Sequence, residues 1–241
     1  MPKNSLAWKI KHEIANFRDL VYSRIYISPT AEKNIVTKFH KLYFDSHRFG
    51  KTWGNTFWLG ALAKKCPLDL WIYQEIIFEI KPDLIIECGT AEGGGALFLA
   101  SMCDLIKKGR VVSIDIRDAT GLPKHARIKY LVGSSVSEEV VKEVKKMIGK
   151  NEKVLVILDS NHTKQHVLKE LEIYNKLVTK GSYLIVEDTQ LNGHPVMPNY
   201  GPGPMEAVQE FLKSNKEFII DKGREKLYMT WNPNGYLKKV K

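Results

Sequence analysis

Apolar residues in the first fifty positions recur at steps of three or four: Ile10, Ile14, Phe17, Val21 and Ile25, then Ile35, Phe39, Leu42 and Tyr43. This spacing marks one face of a helix, and it predicts two amphipathic helices whose stripes need a surface to cover them. From about residue 69 the period changes. DLWIYQEIIFEI (69–80) reads as a helix broken by Pro82, and LIIEC (84–88) is a short unbroken apolar run, as a buried parallel strand should be. GGALFLASMCDLIKK (94–108) reads as a helix closed by Gly109, while VVSIDI (111–116) and IKYLVG (128–133) read as strands. SEEVVKEVKKMIG (137–149) has Ser at the N-cap, Glu in the first turn and Lys in the last, all matching a helix dipole. VLVILDS (154–160) and YLIVEDT (183–189) are further strands, separated by a helix over 163–178. A Pro/Gly-rich loop (191–204), a helix to about Lys213 and two closing strands near 217–222 and 226–231 complete the pattern.

Strands alternating with helices at this spacing predict an α/β fold, a Rossmann-like doubly wound sheet. Residues 1–65 form an N-terminal helical extension in this reading, and 66–241 the sheet domain. Ligands of such sheets bind beyond the carboxyl ends of the strands, where strand order reverses. The loop 191–204 is long for a connection without structure, which suits a lid.

The strand 84–88 runs into Glu87-Cys88-Gly89-Thr90-Ala91-Glu92-Gly93-Gly94-Gly95, a glycine turn opening a helix. Glycines there let the backbone approach a ligand and leave helix N–H groups facing it. The spacing is not the G-x-G-x-x-G of a dinucleotide site. An acid two residues before the first glycine is instead the pattern of S-adenosylmethionine sites, with Glu87, Gly89, Thr90, Gly93 and Gly94 as candidate cofactor residues. Asp115 ends the next strand, where an acid can accept both ribose hydroxyls. Ser134 and Asp159 stand at the same rim and join the set. The bland alternative makes Glu87 a turn cap and Asp115 a solvated strand end.

Asp159-Ser160-Asn161-His162 and Glu187-Asp188 close the strands 154–160 and 183–189. Adjacent strand ends bring three carboxylates together, and these repel unless a cation compensates them. Oxygen donors suit Mg²⁺, or Mn²⁺ in its place, so Asp159, Glu187 and Asp188 are the candidate metal ligands. His162 lies three residues after Asp159, close enough to take a proton from a metal-bound hydroxyl, and imidazole titrates near neutrality. A two-carboxylate, one-histidine iron site of an oxygenase is the rival chemistry, but such sites use two histidines and one carboxylate.

Composition adds limits. With 44% apolar residues over 241, a full core can form, and no apolar run reaches the length of a membrane span. MPKNSLAWKI has no apolar signal region, so the expectation is a soluble, cytoplasmic protein. Cys66, Cys88 and Cys103 are odd in number and unpaired in spacing, which argues for reduced structural thiols. Of the net charge of +10, half falls in residues 1–50, where nine Lys/Arg face four acids. That surplus allows a nucleic-acid or membrane-binding module, yet a solvated face is the commoner meaning, and nucleic acid is disfavoured as a partner. The uncovered stripes instead favour a homo-oligomer through the N-terminal region.

The runs IIECGTAEGGGALFLA, ILDSNHTKQHVLKELEIY, YLIVEDT and GPGPMEAVQEFL resemble the cephalosporin hydroxylase and rhamnosyl O-methyltransferase family over about residues 50–230. D-S-N-H followed by E-D is the specific part. The resemblance implies a class I methyltransferase fold, S-adenosylmethionine and Mg²⁺ as cofactors, and methyl transfer to a hydroxyl of a sugar, phenolic or natural-product acceptor. It implies that Asp159, Glu187 and Asp188 hold the metal, that Glu87, Gly89 and Asp115 line the cofactor, and that His162 is the base. One departure is Gly95, where many members carry Ser. Trp53, Trp58, Trp71 and Tyr200 are each as readily core as substrate platform.

Overall fold

The computed structural model describes residues 5–241, apart from the side chains of 23–26, so Ile25 of the first stripe lies outside the described side chains. The chain forms two compact units, 1–40 and 41–241. In the first, α1 (Leu6–Tyr26) is followed by α2 (Pro29–Asp45), which runs on into the second. The row Leu6, Ile10, Ile14, Phe17 and Val21 of α1 is exposed, so the stripe exists as a helix face and stands in solvent.

The second unit opens with a small antiparallel hairpin, β1 (Phe57–Trp58) and β2 (Ala61–Leu62), which the apolar pattern does not announce. There follow α3 (Pro67–Ile80), β3 (Leu84–Cys88), α4 (Gly94–Leu105), β4 (Arg110–Asp115), β5 (Ile128–Val132) and α5 (Glu138–Lys146). Next come β6 (Val154–Leu158), α6 (Lys164–Tyr174), β7 (Tyr183–Val186), α7 (Pro204–Ser214), β8 (Phe218–Ile220) and β9 (Tyr236–Lys239). Among the described residues seven strands form one sheet in the order β5-β4-β3-β6-β7-β9-β8, and β9 alone runs against the rest. The order reverses between β3 and β6, which is where a doubly wound sheet opens a crevice.

Strand alternation divides the core between two faces. Leu84, Ile86 and Cys88 of β3 pack with Val156 and Leu158 against α5, α6 and α7. Ile85 packs with Leu155, Ile157 and Ile185 against α3 and α4. Each such buried side chain contributes about 1.5–3 kcal/mol, and central strands covered on both faces have no polar side to show. All three cysteines are free and buried, as expected of small core residues. Among the described residues no helix is long and apolar enough to cross a membrane.

Two expectations need correction. The last strand is Tyr236–Lys239, not 226–231; that stretch is irregular and carries Met229 and Trp231 into a small third core with Phe44, Cys66, Leu191 and Val196. Within it Trp231 N bonds to a side chain rather than a ladder, and Trp231 O accepts from Gln190 N. Buried Asp69 on α3 accepts from Trp231 N at 2.9 Å, from the Tyr236 hydroxyl at 2.8 Å and from the Thr230 hydroxyl. The strands at 154–160 and 183–189 are also shorter than read, ending at Leu158 and Val186, so the rim acids sit in the turns beyond them.

Removing the Asp69 carboxylate leaves three buried donors without a partner. Asp69→Ala should therefore cost about 3 kcal/mol in chemical denaturation; a loss below about 0.5 kcal/mol would mean the C-terminal segment is anchored by other contacts.

Candidate active site

At the rim of β3, β6 and β7 lies a cleft of about 670 Å³, in the range of small-molecule sites. Its walls include Gly89, Asp115 and Ser134, the polar group Asp159, His162 and Asp188, and the large side chains Phe44, Trp53, Met197, Tyr200 and Trp231.

Asp159, His162 and Asp188 each offer one ligand atom, and these atoms all lie within 4.8 Å of one another. His162 Nε2 lies 3.2 Å from Asp188 Oδ2 and 3.9 Å from Asp159 Oδ1. The backbone at Asp188 has φ +55°, a left-handed conformation at the end of an apolar strand. That turn swings its carboxylate to the rim, and non-glycine residues held so are concentrated at functional sites. Gln190 Nε2 donates to Asp188 Oδ1 at 2.9 Å. Burial pushes the Asp188 carboxyl above the ordinary aspartate range, opposed by His162.

Glu187 is placed differently. It is buried beneath the rim and accepts from Lys65 Nζ at 2.6 Å, while the same ammonium donates to Asp159 Oδ2. Lys65 is itself buried. Against burial, which works to lower it, Asp159, Glu187 and Glu87 hold the ammonium's pKa well above the ordinary lysine value. Burial raises Glu187 far above the usual carboxylate range, with neighbouring Asp159 adding to it. A cation does compensate the acids, as electrostatics requires, and this chain supplies one from the segment that follows its own hairpin. Lys65 carried no sequence signal: it sits in a Lys-Lys pair 94 residues before Asp159, in a chain rich in lysine.

The glycine turn is a floor as much as a ligand cradle. Gly89 has φ +105° and lies so close to β6 that a Cβ there would fall 1.9 Å from the Asp159 carbonyl oxygen. A Cβ on Gly94 would meet the Leu62 carbonyl at 2.5 Å, because the hairpin lies directly on this turn. Glu87, Thr90, Gly93 and Gly94 are buried and do not line the cleft. Strand alternation turns Glu87 to the α3/α4 face with Ile85, where its Oε2 accepts from the Ser113 hydroxyl at 2.6 Å. Burial pushes the Glu87 carboxyl up to about 7, opposed chiefly by Lys65 and by that hydrogen bond. Asp115 Oδ2 accepts from Thr90 N at 3.1 Å and Ala91 N at 3.0 Å, and Oδ1 from Arg117 N at 2.9 Å. A carboxylate has about four acceptor sites, so capping the turn leaves room for a ligand hydroxyl.

Of the aromatic candidates, Trp53 and Tyr200 face the cleft. Trp58 packs edge-on against Phe98 and donates to Ser101 Oγ at 3.0 Å, and Trp71 stands exposed on α3. Trp231 was missed by sequence reading. It meets Trp53 edge-on at 5.3 Å, and Phe44 stacks on Trp53 at 5.7 Å. The loop 191–203 is pinned rather than loose: Glu206 accepts from Gly203 N at 2.7 Å and pairs with His194 at 3.0 Å, and Val196 is buried in the third core.

A parallel sheet with one antiparallel strand near its edge, and acids gathered at the switch point, defines the methyltransferase class of Rossmann-like folds. Solved structures of that class bear this out: an apo form of CmcI matches with a TM-score of 0.61 at 19% identity over 77% of this chain and 76% of its own. CmcI with Mg and SAM matches with 0.60 at 20% identity over 77% of each. A family profile, Rhamnosyl O-methyltransferase/CmcI, matches residues 50–240. Rhamnosyl O-methyltransferase of Mycobacterium leprae (strain TN) is 35% identical over 212 residues, 85% of this chain and 90% of that protein. The chain belongs to the rhamnosyl O-methyltransferase/CmcI family of O-methyltransferases.

The Glu87 shift has a consequence for stability. Its folded value, about 7, lies above the ordinary 4.5, so the folded state holds the proton more tightly. The stabilisation is present below pH 4.5 and is lost as pH rises to 7, by up to about 3 kcal/mol. Glu87→Gln keeps the Ser113 partner and should flatten this part of the pH profile in urea denaturation with EDTA. Parallel profiles for the two proteins would refute the assignment.

Proposed function

We propose that the protein is an S-adenosylmethionine-dependent, Mg²⁺-assisted O-methyltransferase whose acceptor is a small-molecule hydroxyl, with a sugar hydroxyl as the first choice. The observation that carries this is one cleft lined by Gly89 of the glycine turn with Asp115, by the group Asp159, His162 and Asp188, and by an aromatic set including Trp53, Tyr200 and Trp231. The relatives named for rhamnosyl methylation support a sugar over a phenolic or other natural-product acceptor. Flat aromatic walls suit the apolar face of a sugar ring.

The residues fit both cofactors. The cleft is large enough for S-adenosylmethionine together with part of an acceptor, and Asp115 keeps acceptor capacity for ribose hydroxyls. Asp159 and Asp188 supply the oxygen donors a Mg²⁺ ion needs, with Glu187 behind them. When bound, S-adenosylmethionine supplies an electrophilic methyl group and Mg²⁺ acidifies a hydroxyl at its coordination shell. The protein's own part is to bind and align. The aromatic set holds the acceptor so that its hydroxyl enters the gap between Asp159 and Asp188. His162 Nε2 faces that gap and takes the hydroxyl proton, and Asp188 Oδ2 stabilises the imidazolium that results. Alignment within about 3–3.5 Å of the methyl carbon supplies much of the rate.

Asp159→Ala should abolish metal dependence and nearly all turnover. His162→Ala should keep metal and cofactor binding and lower the single-turnover rate by about 10²–10⁴, partly recovered at higher pH where hydroxide replaces the base. The assay is the gain of one methyl group on sugar acceptors by mass spectrometry. His162→Ala turning over at the parental rate would remove the histidine from the mechanism.

The reading extends to assembly: the protein acts in the cytoplasm as a homo-oligomer in which residues 1–50 contribute to the interface. The exposed row Leu6, Ile10, Ile14 and Phe17 supports this, since such rows are covered in a working protein. Light scattering on the full chain should report more than one copy, and a monomer at micromolar concentration would refute it.

A further inference from the structure

The residue that no motif explains is Lys65. Its ammonium lies between Asp159 Oδ2 and Glu187 Oε1, carboxylates from two adjacent strand ends, and all three groups are largely or fully buried. Its hydrogen bonds go to these two carboxylates alone among the acids of the cluster. Asp159 Oδ1, Asp188 and His162 converge on the cleft side, with ligand atoms within 4.8 Å of one another. Asp159 is thus shared, one oxygen turned to the lysine below and the other to the cleft above.

The chain is shaped to deliver this ammonium. The hairpin β1–β2 rests on the glycine turn with no room for a Cβ at Gly94, and Lys65 follows three residues after the hairpin ends. A Cβ at Gly95 would fall 3.2 Å from Lys65 Cε and 2.7 Å from Glu87 Oε1. Gly95 is therefore the residue that leaves space for the lysine stem and for Glu87. Glu87 faces the same ammonium from β3 and adds to the field that holds it charged.

From this arrangement we infer that Lys65 is a tethered counter-ion that divides the acid cluster and sets its affinity for a divalent cation. It claims Glu187 and one oxygen of Asp159, and it leaves Asp159 Oδ1, Asp188 and His162 to face the cleft. The inference rests on the metal reading given above and goes further by assigning Lys65 a positioning role. Two effects follow from the fixed positive charge. Before a metal arrives, it keeps Asp159 and Glu187 from repelling each other, so the rim forms without the ion. Once a metal arrives, the same charge opposes it at close range, and it withholds two carboxylate oxygens that would serve as ligands. Both lower affinity. Losing the lysine also lets the freed carboxylates rotate apart, which works the other way, but a unit charge at this depth outweighs one or two side-chain torsions.

The test uses the metal alone. Lys65→Met keeps the stem length and deletes the charge. The full chain and the variant are titrated with MgCl₂ and MnCl₂ by isothermal calorimetry at pH 8, and their melting temperatures are recorded in EDTA and in excess Mg²⁺. Lys65→Met should bind the cation ten- to a hundred-fold more tightly than the parent. It should melt well below the parent in EDTA and recover most of that loss with Mg²⁺. If it folds only when Mg²⁺ is present, that is the same result in its extreme form. Lys65→Gln, shorter and still polar, should shift the affinity in the same direction. Unchanged or weaker binding in both variants, with a melting loss equal in EDTA and Mg²⁺, would mean that Lys65 merely anchors the hairpin, and would overturn the inference while the metal site stands. If neither the parent nor the variants bind either cation, the metal reading itself fails and this inference falls with it.

Discussion

One lysine ammonium holds the ends of two neighbouring strands together. Asp159 and Glu187 follow β6 and β7, and a parallel sheet leaves them side by side, Glu187 buried and Asp159 at the wall of the cleft. Two carboxylates there would push the strand ends apart or take up protons. Lys65 opposes both, and its stem needs the space left by the bare α-carbon at Gly95, beside Glu87. A buried charge pair is worth little in net stability, and its value lies in fixing which conformation the acids adopt.

The glycine turn therefore serves two masters. Its amides are capped by Asp115, and its glycines are demanded by protein backbone, at the Asp159 carbonyl and at Leu62. A ligand at this turn meets a surface already tightened by the fold. That is preorganisation in structural terms: the donors are held in place before anything binds, so binding does not bear the cost of ordering them.

The aromatic set of the cleft is built from parts that lie far apart in sequence. Phe44 ends a helix, Trp53 lies in a short turn, and Trp231 sits in the segment where a strand was expected. Asp69 fixes that last segment through three donors, so a carboxylate on α3 positions an aromatic wall about 160 residues on.

What the sequence determined by itself was everything carried by local periodicity. Unbroken apolar runs such as LIIEC and VLVIL named the central strands to within a residue or two, since covered strands tolerate nothing polar. Ser137 and the charges of α5 announced that helix, and the motif D-S-N-H with E-D placed Asp159, His162 and Asp188 at one rim. What only the tertiary structure decided was everything that depends on distance across the fold. A lysine beside a cysteine and a proline looks like any surface lysine until the hairpin carries it 94 residues back to Asp159. Whether Glu87 faces ligand or core depended on strand parity against α4, and the closing strand lay beyond a segment anchored by Trp231 N and the Thr230 hydroxyl on Asp69. Local pattern records which side chains avoid water; it holds no record of which buried charge they will meet.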